Sequence, residues 1–184
     1  MKLNLGCGKT NFGLDWIHID KTNYSHIHSN NIVDLPFNND SIEIIYSSHT
    51  IEYFDREEIV EVLKKWKQKW KQKLKKNGIL RLSVPNFKVY TKLYIEEKIN
   101  LKQCLGPFYG KWKTKNDDNY IYHKTVYDYD DLYNILNNIG FKNIRLWDWK
   151  NIEHSHIDDY SQAYIPHMDK INGELMSLNI ECNK

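Results

Sequence analysis

Short apolar runs, each bounded by turn residues or by an acidic residue, dominate the first half of the chain. Such runs are typical of strands, and the β-branched run Ile42–Tyr46 is compact enough to be buried on both faces. The pattern predicts five strands here, at Lys2–Leu5, Trp16–Ile19, Asn31–Val33, Ile42–Tyr46 and Ile79–Val84. The first ends at a glycine-rich turn, the second at Asp20 and the third at Asp34.

Further along the chain, apolar residues recur at the three- and four-residue spacing of helices. The longest predicted helix begins at Asp55 and runs to about Lys76, where Asn77 and Gly78 are C-terminal signals. The remaining predicted elements are helices at Lys88–Glu97 and Tyr129–Asn138 and late strands at Phe141–Trp149 and Leu175–Cys182. Strands that alternate with helices favour an α/β fold with a mostly parallel sheet.

The long helix carries eight lysines between Lys64 and Lys76, a density that could indicate a nucleic-acid or membrane surface. Its apolar residues nevertheless form one stripe, at Ile59, Leu63, Trp66, Trp70 and Leu74. Acidic residues occupy the first turns and lysines the last ones, as the helix dipole prefers. We therefore interpret this segment as a solvated helix packed on the sheet.

Composition narrows the class of protein. A chain of 184 residues fits a single domain, and no apolar run approaches the 18 or so residues of a membrane span. The three cysteines are far apart and form neither a metal-binding spacing nor a disulfide framework, which fits a reducing cytoplasm. Two segments, Asn100–Val126 and Asn151–Lys170, are expected to be insertions or lids over the site. The sequence does not determine the oligomeric state.

A glycine-rich turn, Gly6-Cys7-Gly8, follows the first predicted strand directly. Glycine lets the backbone approach a ligand closely because it has no side chain to collide with it. In doubly wound sheets the ligand lies outside the carboxyl ends of the strands, where the strand order reverses. Asp20, at the end of the second strand, is then well placed to accept hydrogen bonds from a ribose diol. Together these features predict a nucleotide-type site.

Four stretches resemble the class I S-adenosylmethionine-dependent methyltransferases, and more narrowly a small group often linked to surface polysaccharide genes. They are LNLGCGKTNFGLDWIHID (Leu3–Asp20), DLPFNNDSIEIIYSSHTIEYF (Asp34–Phe54), LKKNGILRLSVPNF (Leu74–Phe87) and HKTVYDYDDLYNILNNIGFKNI (His123–Ile144). The resemblance implies a Rossmann-like, doubly wound, mostly parallel seven-stranded sheet with an abbreviated first helix. It also implies S-adenosylmethionine as the cofactor.

The resemblance further implies roles for individual residues. Gly6, Cys7 and Gly8 would form the turn under the methionine part of the cofactor, and Asp20 would bind the ribose hydroxyls. The other implied contacts are Asp34 and Leu35 beside the adenine, and Ser48 and His49 at the methionine end and the substrate. This chain departs from the family pattern at Tyr53, where relatives often have a histidine, so a histidine-based role at that position is in doubt.

Candidates for the acceptor side come from the late polar segments. His123, Asp159, Tyr160 and His167 are predicted to face the substrate, with a histidine taking the proton of a hydroxyl acceptor. The pairs His26–His28 and His154–His156 lack a supporting cysteine or acid at a suitable spacing, so we expect no metal.

The predicted acceptor is a small molecule or a sugar. Nucleic acid is disfavoured because the net charge is only +2 and the Pro-Pro-Tyr/Phe and Pro-Cys motifs of nucleic-acid methyltransferases are missing. Two alternatives stay open. One is another use of the same cofactor, aminopropyl transfer or cofactor cleavage, supported by acidic residues at 117–118, 128–131 or 158–159. The other is a cofactor-binding protein without turnover.

Overall fold

The computed structural model describes residues 1–38, 40–113 and 119–184, and for residues 66–74 and 76 the backbone alone. The strands of the described chain are β1 (Lys2–Leu5), β2 (Trp16–Ile19), β3 (Ile27–Ser29), β4 (Ile42–Ser48), β5 (Leu74–Pro85), β6 (Trp112–Lys113), β7 (Tyr120–Ile121), β8 (Lys142–Leu146), β9 (Tyr164–Ile165), β10 (Glu174–Leu175) and β11 (Ser177–Asn183). The α-helices are α1 (Arg56–Lys73), α2 (Phe87–Ile95), α3 (Leu101–Tyr109) and α4 (Tyr129–Ile139). Short 3-10 helices lie at Ile51–Tyr53, Trp149–Asn151 and Tyr160–Gln162.

Seven of these strands form one sheet, in the order β3-β2-β1-β4-β5-β11-β8. Neighbouring strands are parallel except for β11, which runs antiparallel to both β5 and β8. After β1 the chain adds β2 and β3 toward one edge of the sheet. β4 then pairs with the other side of β1 and begins the second half. The strand order therefore reverses between β1 and β4, and the carboxyl ends of these strands flank the crevice where doubly wound sheets bind ligands. The predicted seven-stranded, mostly parallel sheet is confirmed.

One face of the sheet is covered by α1 and α4. Leucines and isoleucines at alternate strand positions meet apolar residues of both helices in the largest buried cluster, because successive strand side chains point to opposite faces. Its members include Leu3, Leu5, Ile19, Ile45, Leu80, Leu82, Ile59, Leu63, Leu132 and Leu136. Ile59 and Leu63 thus occupy the predicted apolar stripe of the long helix. Trp66, Trp70 and Leu74 lie outside the residues whose side chains the structure describes.

The opposite face is covered by loop segments. Phe12, Trp16, Tyr46, Trp147 and Ile152 form a second buried cluster there. Phe12 belongs to the short connection between β1 and β2, where the resemblance implied an abbreviated helix. Its ring lies 5.1 Å from that of Trp16 on β2 and 5.4 Å from that of Tyr46 on β4, so this connection contributes an aromatic side chain to the cluster.

Several predicted elements differ from the structure in their bounds, and three differences go beyond a small shift. The third strand is Ile27–Ser29, not Asn31–Val33, because the Asn31 side chain accepts hydrogen bonds from the amides of Val33 and Asp34 and so forms a turn there. The long helix ends at Lys73, because β5 already begins at Leu74.

The third difference lies within the expected insertion. The segment 101–109 is a helix, α3, whose first turn is closed by a capping box between Asn100 and Gln103. In the part of the chain that the structure describes, no helix is both long enough and apolar enough to span a bilayer.

Candidate active site

The turn after β1 has a backbone that requires glycine. Gly6 and Gly8 have φ angles of +69° and +54°, in the left-handed region, and the Gly6 amide donates to the Ile19 carbonyl at 2.7 Å. A Cβ on Gly6 would lie 2.1 Å from Thr50 Oγ1, whereas a Cβ on Gly8 would meet no atom within 4 Å. The backbone at Gly8 therefore borders open space at the end of β1.

Asp20, directly after β2, fastens this turn to the neighbouring strand. Its Oδ2 accepts the Gly8 amide at 2.8 Å and its Oδ1 accepts the Thr22 amide at 2.7 Å. A carboxylate has about four lone-pair sites, so two hydrogen bonds from backbone amides leave Asp20 able to accept more at this edge. The arrangement suits a ligand with adjacent hydroxyl groups.

The other residues predicted to bind the cofactor lie around the same edge. Cys7 is buried, and burial together with the nearby Asp20 raises the pKa of its thiol to about 12, so it is not a nucleophile at neutral pH. Ser48 ends β4 beside Ser83 of β5. Asp34 and Leu35 lie in the loop after β3, where Leu35 is 1% exposed and packs in the main core.

Beyond β4, two histidines converge on a buried glutamate. Glu52 Oε1 lies 3.5 Å from Nδ1 of His49 and 3.9 Å from Nε2 of His123. Glu52 is 1% exposed, and neither of its carboxyl oxygens has a hydrogen-bond partner among the residues that the structure describes. We call His49, Glu52 and His123 the His–Glu–His cluster.

Burial shifts the ionisation of all three members toward the neutral form. It raises the pKa of the Glu52 carboxyl from 4.5 to about 8. Burial, with a smaller contribution from His123, lowers the pKa of His49 from 6.5 to about 3, and burial also lowers the pKa of His123. At neutral pH the unliganded cluster is therefore largely uncharged.

No protein-family model and no curated protein matches the sequence. Solved structures do match over the whole chain. A SAM-dependent methyltransferase from Archaeoglobus fulgidus has a TM-score of 0.57 at 16% identity, with 100% of this chain and 85% of that chain covered. The chain has the class I methyltransferase fold.

Two further neighbours agree with this fold. A SAM-dependent methyltransferase from Methanosarcina mazei has a TM-score of 0.54 at 14% identity, covering 100% of this chain and 91% of that one. The Burkholderia thailandensis 1,6-didemethyltoxoflavin-N1-methyltransferase, solved with 1,6-didemethyltoxoflavin and S-adenosylhomocysteine, has a TM-score of 0.51 at 10% identity, covering 100% and 70%. The predicted class I methyltransferase fold is thereby confirmed.

The Tyr53 ring lies 4.6 Å from the His123 ring in an edge-on arrangement, so a histidine from a distant segment of the chain lies beside this position. Sequence reasoning missed Glu52 as a functional candidate. The available signal was a carboxylate between Ile51 and Tyr53, directly after a buried strand.

The predicted acceptor-side residues do not all gather in one place. The Tyr160 ring lies 5.2 Å from the His49 ring and is 55% exposed, so it borders the His–Glu–His cluster. Asp159 instead accepts from the Tyr46 hydroxyl and from Ser161, where it begins a 3-10 helix. His167 is exposed on the turn after β9.

The other candidate clusters, of histidines and of aspartates, contain residues that pack in the core or cap a helix. His154 is buried and stacks on Phe12 with ring centroids 3.9 Å apart. Asp128 caps α4 by accepting the Asp131 amide at 2.9 Å, and residues 117–118 lie outside the described part of the chain. Among the described residues, no group of three or more His, Cys, Asp or Glu side chains is arranged to hold a metal ion.

Proposed function

We propose that the protein is an S-adenosylmethionine-dependent methyltransferase that acts on a small molecule or a sugar. The observation that carries the proposal is the joint geometry of Gly8 and Asp20 at the point where the strand order reverses. An open backbone face and a carboxylate with spare acceptor capacity meet there, and each is what a nucleoside with an attached amino-acid chain requires.

Different residues at this edge of the sheet bind different parts of the cofactor. S-adenosylmethionine supplies a methyl group activated by a positively charged sulfur. In this proposal the turn from Gly6 to Gly8 supports the methionine part, and Asp20 binds the ribose hydroxyls. Asp34 and Leu35 contribute to the adenine side through the loop after β3. Ser48 closes the methionine end.

The acceptor side is rich in partly exposed aromatic rings. They lie in the segments 100–126 and 151–170, which we propose to cover the site, and they present flat apolar faces with polar tips. The rings that are about half exposed are those of Tyr109, Trp112, Tyr120, Tyr122 and Tyr160. Such surfaces suit sugars and small ring compounds. His49, His123, Tyr160, Asp159 and His167 remain the proposed acceptor-side residues.

The binding half of the proposal is tested by thermal unfolding with S-adenosylmethionine and with S-adenosylhomocysteine. At 100-fold excess over the dissociation constant, a ligand that binds only the native state adds about 2.7 kcal/mol of stability. Asp20→Ala should remove most of this gain, whereas Asp15→Ala, an exposed aspartate in the same connection, should keep it. Wild-type protein that shows no stabilisation at millimolar ligand would refute the assignment.

The chemical half is tested by incubating the protein with S-adenosylmethionine and a metabolite extract, followed by mass spectrometry of every new product. A product heavier by one methyl group supports methyl transfer. A product heavier by an aminopropyl group, or cofactor fragments without a methylated product, would replace it with another use of the same cofactor. Cofactor binding without any product would leave a binding protein.

A further inference from the structure

The hydrogen-bond partners of His123 assign its tautomer. Its Nδ1 lies 2.8 Å from the Pro107 carbonyl oxygen, which can only accept, so Nδ1 carries the hydrogen. In the neutral ring, Nε2 then carries a lone pair, and Nε2 is the atom that faces Glu52 Oε1 at 3.9 Å. The ring is held there by the turn at Gly110, where a Cβ would lie 2.7 Å from the imidazole.

The hydrogen-bond partners of His49 assign its tautomer as well. The Ser177 hydroxyl donates its single hydrogen to the Tyr160 carbonyl at 2.5 Å. Ser177 Oγ must therefore accept from His49 Nε2, which lies 3.3 Å away and carries the ring hydrogen. The remaining nitrogen, Nδ1, has a lone pair and lies 3.5 Å from the same Glu52 oxygen.

Three proton acceptors thus face one another without a donor between them. An ionised Glu52 would be a buried carboxylate beside two lone pairs, with no hydrogen bond to either oxygen. A single proton on Glu52 removes the charge and turns the carboxyl into a donor toward a histidine nitrogen. The distances exceed those of ordinary hydrogen bonds, so the proton is not locked in place.

Among the side chains that the structure describes, none supplies a fixed positive charge at the Glu52 carboxyl. The titratable side chains that face or closely neighbour its carboxyl are His49, Tyr53, His123 and Tyr127, with Tyr160 beside His49 and Asp20 near Tyr53. Burial lowers the pKa of both imidazoles and so favours their neutral forms. Lys124 follows His123 in the chain, but its ammonium pairs with Glu58 at 3.0 Å.

The cluster adjoins the turn that we propose to hold the cofactor. Thr50 fills the space beside Gly6, and its hydroxyl donates toward the Gly6 carbonyl at 3.3 Å. Glu52 lies two residues after Thr50. Besides burial, the carboxylates of Glu52 and Asp20 both raise the pKa of the Tyr53 hydroxyl. Glu52 is 1% exposed, so dissolved ions screen its carboxyl weakly from a positive charge bound at the neighbouring turn.

We propose that the His–Glu–His cluster holds one exchangeable proton, releases it when the positively charged S-adenosylmethionine binds, and regains it from the acceptor during methyl transfer. This inference rests on the proposed function and defines the acceptor as one that loses a proton, a hydroxyl or an amine. Methyl transfer breaks the carbon–sulfur bond, whose electron pair stays on sulfur, and forms a bond from the methyl carbon to the acceptor oxygen or nitrogen. The acceptor's proton passes to the cluster, so the site begins and ends without net charge.

Proton release can be measured without turnover. Binding of S-adenosylmethionine is followed by calorimetry at pH 7 in buffers of different ionisation enthalpy, with S-adenosylhomocysteine as the reference, since it shares the amine and the carboxylate but lacks the sulfonium charge. We expect release of up to about one proton per S-adenosylmethionine bound and little for the homocysteine compound. Glu52→Gln should abolish the difference, whereas Glu57→Gln, on the exposed first turn of α1, should keep it.

Binding without proton release, or release that persists in Glu52→Gln, would overturn the proposal. Nitrogen-15 NMR of the unliganded protein separates this failure from a failure of the proposed function. At pH 7 it should show neutral rings, with the hydrogen of His49 on Nε2 and that of His123 on Nδ1. Opposite tautomers or charged rings would refute the one-proton cluster even if the cofactor binds. Absence of cofactor binding would refute the release step together with the proposed function.

Discussion

Replacing Gly6 with alanine should destabilise the protein far more than the same change at Gly8. Both residues lie in one turn with similar positive φ angles, so the left-handed backbone costs alanine about 1–2 kcal/mol at either position. Only at Gly6 does the new methyl group collide, at 2.1 Å from Thr50 Oγ1 and 2.4 Å from Thr50 Cγ2. Overpacking of this kind costs roughly 1–3 kcal/mol more.

The reduced entropy of the unfolded chain offsets about 0.4–1 kcal/mol in each variant. The net expectation is a loss of about 1–4.6 kcal/mol for Gly6→Ala and about 0–1.6 kcal/mol for Gly8→Ala. Urea unfolding of the three proteins, analysed at a common m-value, measures the difference directly. Cofactor affinity should instead fall more in Gly8→Ala than in Gly6→Ala, because the methyl group at position 8 projects into the open space of the site.

A double-mutant cycle with Thr50→Ala identifies the collision as the cause. Truncation of Thr50 removes the 2.1 Å and 2.4 Å contacts but leaves its Cβ at 2.8 Å, so Gly6→Ala should cost less in that background by about 1–2 kcal/mol. The single Thr50→Ala variant accounts for the loss of the one hydroxyl hydrogen, which lies within reach of the Ser48 carbonyl at 3.1 Å and the Gly6 carbonyl at 3.3 Å. Equal costs at Gly6 and Gly8, or strict additivity with Thr50→Ala, would refute the reasoning.

Two further predictions concern the His–Glu–His cluster. Between pH 5 and 8 the unfolded chain releases the Glu52 proton, while the folded protein, in which burial raises the pKa to about 8, keeps it. Wild-type unfolding free energy should therefore fall by about 1.4 kcal/mol per pH unit relative to Glu52→Gln, and parallel pH profiles in urea unfolding would contradict this. His123→Ala should lower turnover by about 10²–10⁴-fold with cofactor affinity nearly unchanged, and His167→Ala should lower it less because that ring is exposed. Steady-state kinetics and a cofactor-binding assay test this. A larger loss of turnover in His167→Ala than in His123→Ala would assign the proton-accepting role to His167.

Local signals were sufficient for much of the fold. β1 and β2 have the predicted bounds, because short apolar runs stopped by glycine or aspartate leave little choice of strand ends. Gly6, Gly8 and Asp20 were identifiable for the same reason, since a turn after one strand and an acid after the next are readable from neighbouring residues. The third strand was misplaced because β3 is held by pairing with β2, and a pairing partner is not visible in the local pattern.

The acceptor side depended on tertiary structure. His49 and Glu52 are close in the sequence, but His123 reaches them only because the backbone of residues 124–125 bonds to the Glu52 carbonyl and Gly110 leaves room for the ring. The sequence by itself determined the first two strands, the glycine turn and the acidic residue beside it, since these follow from local patterns of apolar and turn residues. Only the tertiary structure decided the surroundings of Glu52, because its burial and its contacts with two imidazoles from distant segments are not encoded in any single segment.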